Sequence, residues 1–72
     1  MEFTLQSYDG AIPCEVTVDD ENGRYMLRQA DTSGKVFNTA AELTQWIKQN
    51  WHANQFINPS EFINMVKQLE NN

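Results

Sequence analysis

Thiol chemistry in this chain would have to come from Cys14, its only cysteine, and imidazole chemistry from His52, its only histidine. Cys14 falls in the alternating apolar file Ile12, Cys14, Val16, Val18. That placement predicts an inward, buried thiol with a raised pKa and little nucleophilic reactivity. His52 falls near the end of a helical stretch, where the helix dipole favours a protonated ring, a structural use. Catalysis by the two together would need a buried mid-strand thiol to meet a helix-end imidazole. With no HxxxH or CxxC neighbour, neither residue belongs to a transition-metal ligand set. Asp19-Asp20-Glu21-Asn22-Gly23 has the composition of a calcium loop but not its spacing of alternate ligands closing on a distant Glu, and reads as a solvated acidic turn. Gly10, Gly23 and Gly34 are single turn glycines outside any phosphate-cradling motif. The expectation is no catalytic residue, no metal and no cofactor.

What remains is binding, and the aromatic residues are the candidates. Trp46, Trp51 and Phe56 cluster in the second half of a chain with limited room for large rings. One reading makes one indole core and sets the other as a cap on the end of a helical pair. The sharper one makes Trp51 and Phe56 an exposed apolar rim that receives a partner, because aromatic anchors dominate binding hot spots.

Size and charge narrow the partners. Seventy-two residues suggest one domain, 1–72, with a net stability of only a few kcal/mol and no disulfide to staple it. A net charge of −5 and scattered basic residues argue against nucleic acid, whose phosphates need a cationic face. No apolar run approaches the ~20 residues of a membrane span, and a lone cysteine without a secretion signal fits a cytoplasmic setting.

The elements that position these residues can be read from periodicity. Glu2–Ser7 alternates, with Phe3 and Leu5 on one side. Asn22-Gly23 is the strongest hairpin signal, and a two-residue loop there sets Val18 opposite Leu27 and Glu21 opposite Arg24. Following the ladder back sets Leu5 opposite Cys14, Phe3 opposite Val16 and Ser7 opposite Ile12. Lys35-Val36-Phe37 is long enough for a short fourth strand. Thr39-Ala-Ala-Glu42 fits a capping box. The helix it opens runs to about His52, with Ala40, Leu43, Trp46, Ile47 and Trp51 within an arc of roughly 140°. A second helix starts at Asn58 and Pro59, with Ile57 and Phe62 placed as a hydrophobic staple and Phe62, Met65, Val66 and Leu69 as its inner stripe.

The expected fold is therefore α+β: an antiparallel meander of three or four strands followed by a two-helix hairpin on one sheet face. The expected role is a non-catalytic protein-interaction module, engaging a protein partner or undergoing self-association through its aromatic side or a free sheet edge. A small-ligand-binding domain with a pocket between sheet and helices is the alternative. An acidic mimic of nucleic acid ranks last, because the carboxylates are scattered.

Overall fold

In the computed structural model, which describes residues 1–71, four strands precede two helices. They are β1 (Glu2–Leu5), β2 (Cys14–Asp19), β3 (Arg24–Arg28), β4 (Gly34–Phe37), α1 (Ala40–Asn50) and α2 (Pro59–Glu70), with a 3-10 turn at Ala53–Gln55 between the helices. The strands form one antiparallel sheet in the order β1-β2-β3-β4. Lys35, Val36 and Phe37 thus belong to a true fourth strand, and both helices cover one face.

β1 pairs in the expected register, Phe3 opposite Val16 and Leu5 opposite Cys14. The β2–β3 hairpin does not. Val18 lies opposite Tyr25, Val16 opposite Leu27 and Asp19 opposite Arg24, a slip of two residues from the tight alignment. The turn explains it. A type I′ turn needs positive φ at both Asn22 and Gly23, and of the two only Gly23 adopts it, at 64°. Asn22 is held instead by Asp19, whose carboxylate accepts from the Asn22 backbone N–H at 3.3 Å and from Asn22 Nδ2 at 2.8 Å. The loop widens to Asp20–Gly23. Because strand side chains alternate with period two, a two-residue slip leaves every inward residue inward, and Val16, Val18 and Leu27 are all buried.

The expected pairing of Ser7 with Ile12 is absent, since β1 ends at Leu5. Ser7 bridges Phe56, flanked by bonds from Tyr8 N–H to Gln55 O (3.1 Å) and from Ile57 N–H to Gln6 O (2.9 Å). The segment between the helices is thereby stitched to the chain leaving β1, because its backbone groups need partners once buried.

The β3–β4 turn closes with Gln29 N–H on Ser33 O (2.8 Å) and Thr32 N–H on Gln29 O (2.9 Å). It forces Thr32 to a φ of 72°, a region that β-branched residues avoid. Thr32→Gly is expected to raise stability by about 1 kcal/mol, the relieved side-chain clash exceeding glycine's greater loss of chain entropy. A melting temperature ~4–8 °C higher is the readout.

One core joins the layers. Leu5, Cys14, Val16, Val18 and Leu27 of the sheet meet Leu43 and Ile47 from α1, Trp51 just beyond it, and Phe62, Met65 and Leu69 from α2. α1 starts where expected, with Thr39 Oγ1 accepting from Glu42 N–H at 3.1 Å, and ends two residues early, with Trp51 as an extended C-cap. α2 starts at Pro59 after Asn58, but the Asn58 side chain accepts from Ser60 Oγ at 2.6 Å rather than capping the backbone. The staple also changes hands. Ile57 is exposed, and Phe56 stacks on Phe62 with centroids 5.3 Å apart and planes at 19°.

Candidate functional site

The predicted aromatic residues do come together, but not as a rim. Trp51 is 4% exposed and Phe56 1%, so the exposed surface expected of them does not exist. Phe56 is drawn inward by the Ser7 bridge on one side and by Phe62 on the other. Trp51 packs edge-on against both Phe56 (5.7 Å) and Trp46 (5.9 Å), the geometry that ring quadrupoles favour. Trp46 is the half-buried indole. Its outer side meets Phe37 of β4 at 6.3 Å, and Lys35 Nζ sits 5.5 Å from its centroid, within cation–π range. Rings thus run unbroken from the edge strand, through α1, to α2.

That edge strand is the free sheet edge named from the sequence as the other candidate surface, though without its residues. Val36 of β4 is 79% exposed, and its cross-strand neighbour Met26 is also exposed. They form an apolar pair on an outer face otherwise occupied by Glu15, Thr17 and Arg28. Glu15 and Arg28 lie directly opposite one another, joined at 3.0 Å, and a pair this exposed stabilises by at most about 1 kcal/mol. The backbone of β4 matters as much as its side chains. Ladder bonds alternate from the Gln29–Ser33 bond, so Lys35 and Phe37 direct their N–H and C=O groups to β3, while Val36 directs its own outward. Lys35, on the inner side of an outermost strand, is the charge placement that discourages indiscriminate strand pairing.

The chemistry-bearing residues stay apart. Cys14 is a buried free thiol, its pKa pushed up by burial and by the Asp31 carboxylate against the counter-effect of a hydrogen bond from the Ala30 backbone. His52 lies beyond the end of α1 and is exposed, its backbone N–H donating to Gln55 Oε1 at 2.8 Å. In the acidic turn Asp19 holds Asn22, and Asp20 accepts from the Tyr25 hydroxyl at 2.8 Å. The Asn22 bonds hold the Asp19 carboxyl below its ordinary range. Among the described residues no group of three or more His, Cys, Asp or Glu could hold a metal ion, and no helix is long and apolar enough to cross a membrane.

A cleft of about 330 Å³ opens between the loop after β1 and the β3–β4 turn, with Ser7, Cys14 and Trp51 among its lining residues. It sits at one end of the sheet–helix interface, outside the closed core. No single stretch of sequence signals it, because its walls come from four separate segments.

No known protein family, curated protein or solved structure matches the chain.

Proposed function

We propose that this chain is a non-catalytic, cytoplasmic protein-interaction module that accepts an extended segment of a protein partner alongside β4. The exposure of Val36 on an outermost strand carries the reading: its backbone offers a free donor and acceptor, and its side chain with Met26 offers apolar area. Strand addition supplies affinity through such main-chain bonds and specificity through alternate side chains. Lys35 above Trp46 selects for a carboxylate on the incoming segment, and on that same inner face Phe37 and Trp46 offer apolar area to the side chains that alternate away from Val36. The strand's opposite counterpart, β1, is less available at its far end, where Gln55–Ile57 is already bonded to Gln6–Tyr8. Nucleic acid is disfavoured by the charge of −5, which repels phosphate.

The test is capture of partners from the native cell extract by the wild-type chain and by Val36→Pro. Proline removes the outward N–H and no ladder bond, so the variant should melt within about 1 kcal/mol of wild type. Specific partners should be lost with the variant. Sedimentation of the purified chain reports self-association separately. Equal capture by both proteins would defeat the strand-addition reading.

A further inference from the structure

The cleft beside Cys14 points to a second site, independent of β4. Ser7 is 5% exposed and its Oγ has no hydrogen-bond partner, although a buried hydroxyl is normally paired. The same cleft is lined by two carboxylates, Asp9 and Asp31, and by no basic residue. Asp31 is fixed in place, accepting from Ser33 N–H at 3.0 Å and from Ser33 Oγ at 2.6 Å. Those bonds hold its carboxyl below the ordinary range and hence ionised. Cys14 and Trp51 give the wall an apolar part. The two loops touch at one end, where a Cβ added to Gly10 would lie 2.3 Å from Ala30 Cβ.

We propose that this cleft binds a small organic amine as its ammonium ion, with Asp9 and Asp31 as counter-charges, Ser7 Oγ as hydrogen-bond acceptor, and Cys14 and Trp51 against its hydrocarbon part. An anion is repelled by both carboxylates. A bare divalent ion lacks a ligand set here, as the described residues offer no cluster of three donors. The size is at the small end of ligand pockets, which suits an amine with a short apolar body.

Titration of the labelled protein with n-butylammonium chloride, followed by amide NMR, tests it against n-butanol and calcium chloride. Saturable shifts are expected at Ser7, Gly10, Ala30, Asp31 and the Trp51 indole N–H, with butanol and calcium giving none. Asp9→Asn should weaken the ammonium about tenfold, the loss of one charge-assisted contact. Ser7→Ala should weaken it about threefold or more while leaving the melting temperature of the free protein unchanged or raised, since it removes an unpaired buried hydroxyl. Val36→Pro should bind the ammonium as wild type does, which separates this site from the edge of the sheet. An equal response to butanol, saturation by calcium, or full affinity in Asp9→Asn would overturn the proposal.

Discussion

Phe56→Ala is expected to cost about 3–5 kcal/mol, a large share of the stability of so small a domain. Phe56 is among the largest fully buried side chains. It stacks on Phe62, meets the edge of Trp51, and its backbone bridges Ser7. Truncation therefore opens a cavity where three segments converge. A domain of 72 residues has only about 4–11 kcal/mol in total, so the loss is a large share of it. Urea denaturation followed by near-ultraviolet circular dichroism gives the value. Val36→Ala, at the opposite extreme of exposure, should shift the midpoint by less than about 0.5 kcal/mol. A cost below about 1 kcal/mol for Phe56→Ala would mean that the residue is not packed as described, and would return it to the candidates for a binding surface.

The second large effect concerns Cys14. Reaction with a disulfide reagent should be about a hundredfold slower, or more, than for the same thiol in the urea-unfolded chain, because the sulfur must be uncovered before it can attack. The pH dependence follows from the direction of its shift. A thiol whose pKa is raised in the folded state, above its ordinary 9.0, holds its proton more tightly folded than unfolded. The unfolded chain releases that proton first, so stability is complete below the ordinary thiol value and falls as pH rises through it toward the folded pKa. Cys14→Ala should flatten that alkaline decline while lowering stability at neutral pH through the lost packing. Fast labelling of the native protein at neutral pH, or an alkaline limb unchanged by Cys14→Ala, would contradict the buried placement.

The fold was legible in the sequence because most of its signals were periodic. Phe3, Leu5, Cys14, Val16, Val18 and Leu27 share a face by alternation alone, and that face survived the error at Asn22-Gly23 because the slip was an even number of residues. The register itself depended on one side chain, Asp19, which outcompetes the tight turn by binding Asn22, and a dipeptide rule has no access to that competition. The helix starts at Thr39 and Asn58 were visible as local chemistry. The choice between Ile57 and Phe56 as the staple was not, because it is made by Ser7, far away in sequence. The candidate site fared worse. Trp51 and Phe56 looked like surplus aromatic area, yet they fill the space between α1, α2 and the loop after β1. Val36 carried too little pattern to stand out, and its significance comes from lying on the last strand of the sheet. The cleft needs Ser7, Asp9, Cys14, Asp31 and Trp51 to converge, and nothing short of the tertiary structure reveals that.

The edge-on contact of Trp46 with Trp51 has an optical consequence. These are the chain's two tryptophans, with ring centroids 5.9 Å apart and planes at 79°, close enough for their electronic transitions to couple. The native far-ultraviolet spectrum should carry an exciton couplet superimposed on the helix and strand bands. Spectral deconvolution would then misstate the helix content, while the couplet itself would vanish sharply on melting. Trp46→Phe should abolish it with the helices intact, turning the remaining indole into a lone reporter of the interior.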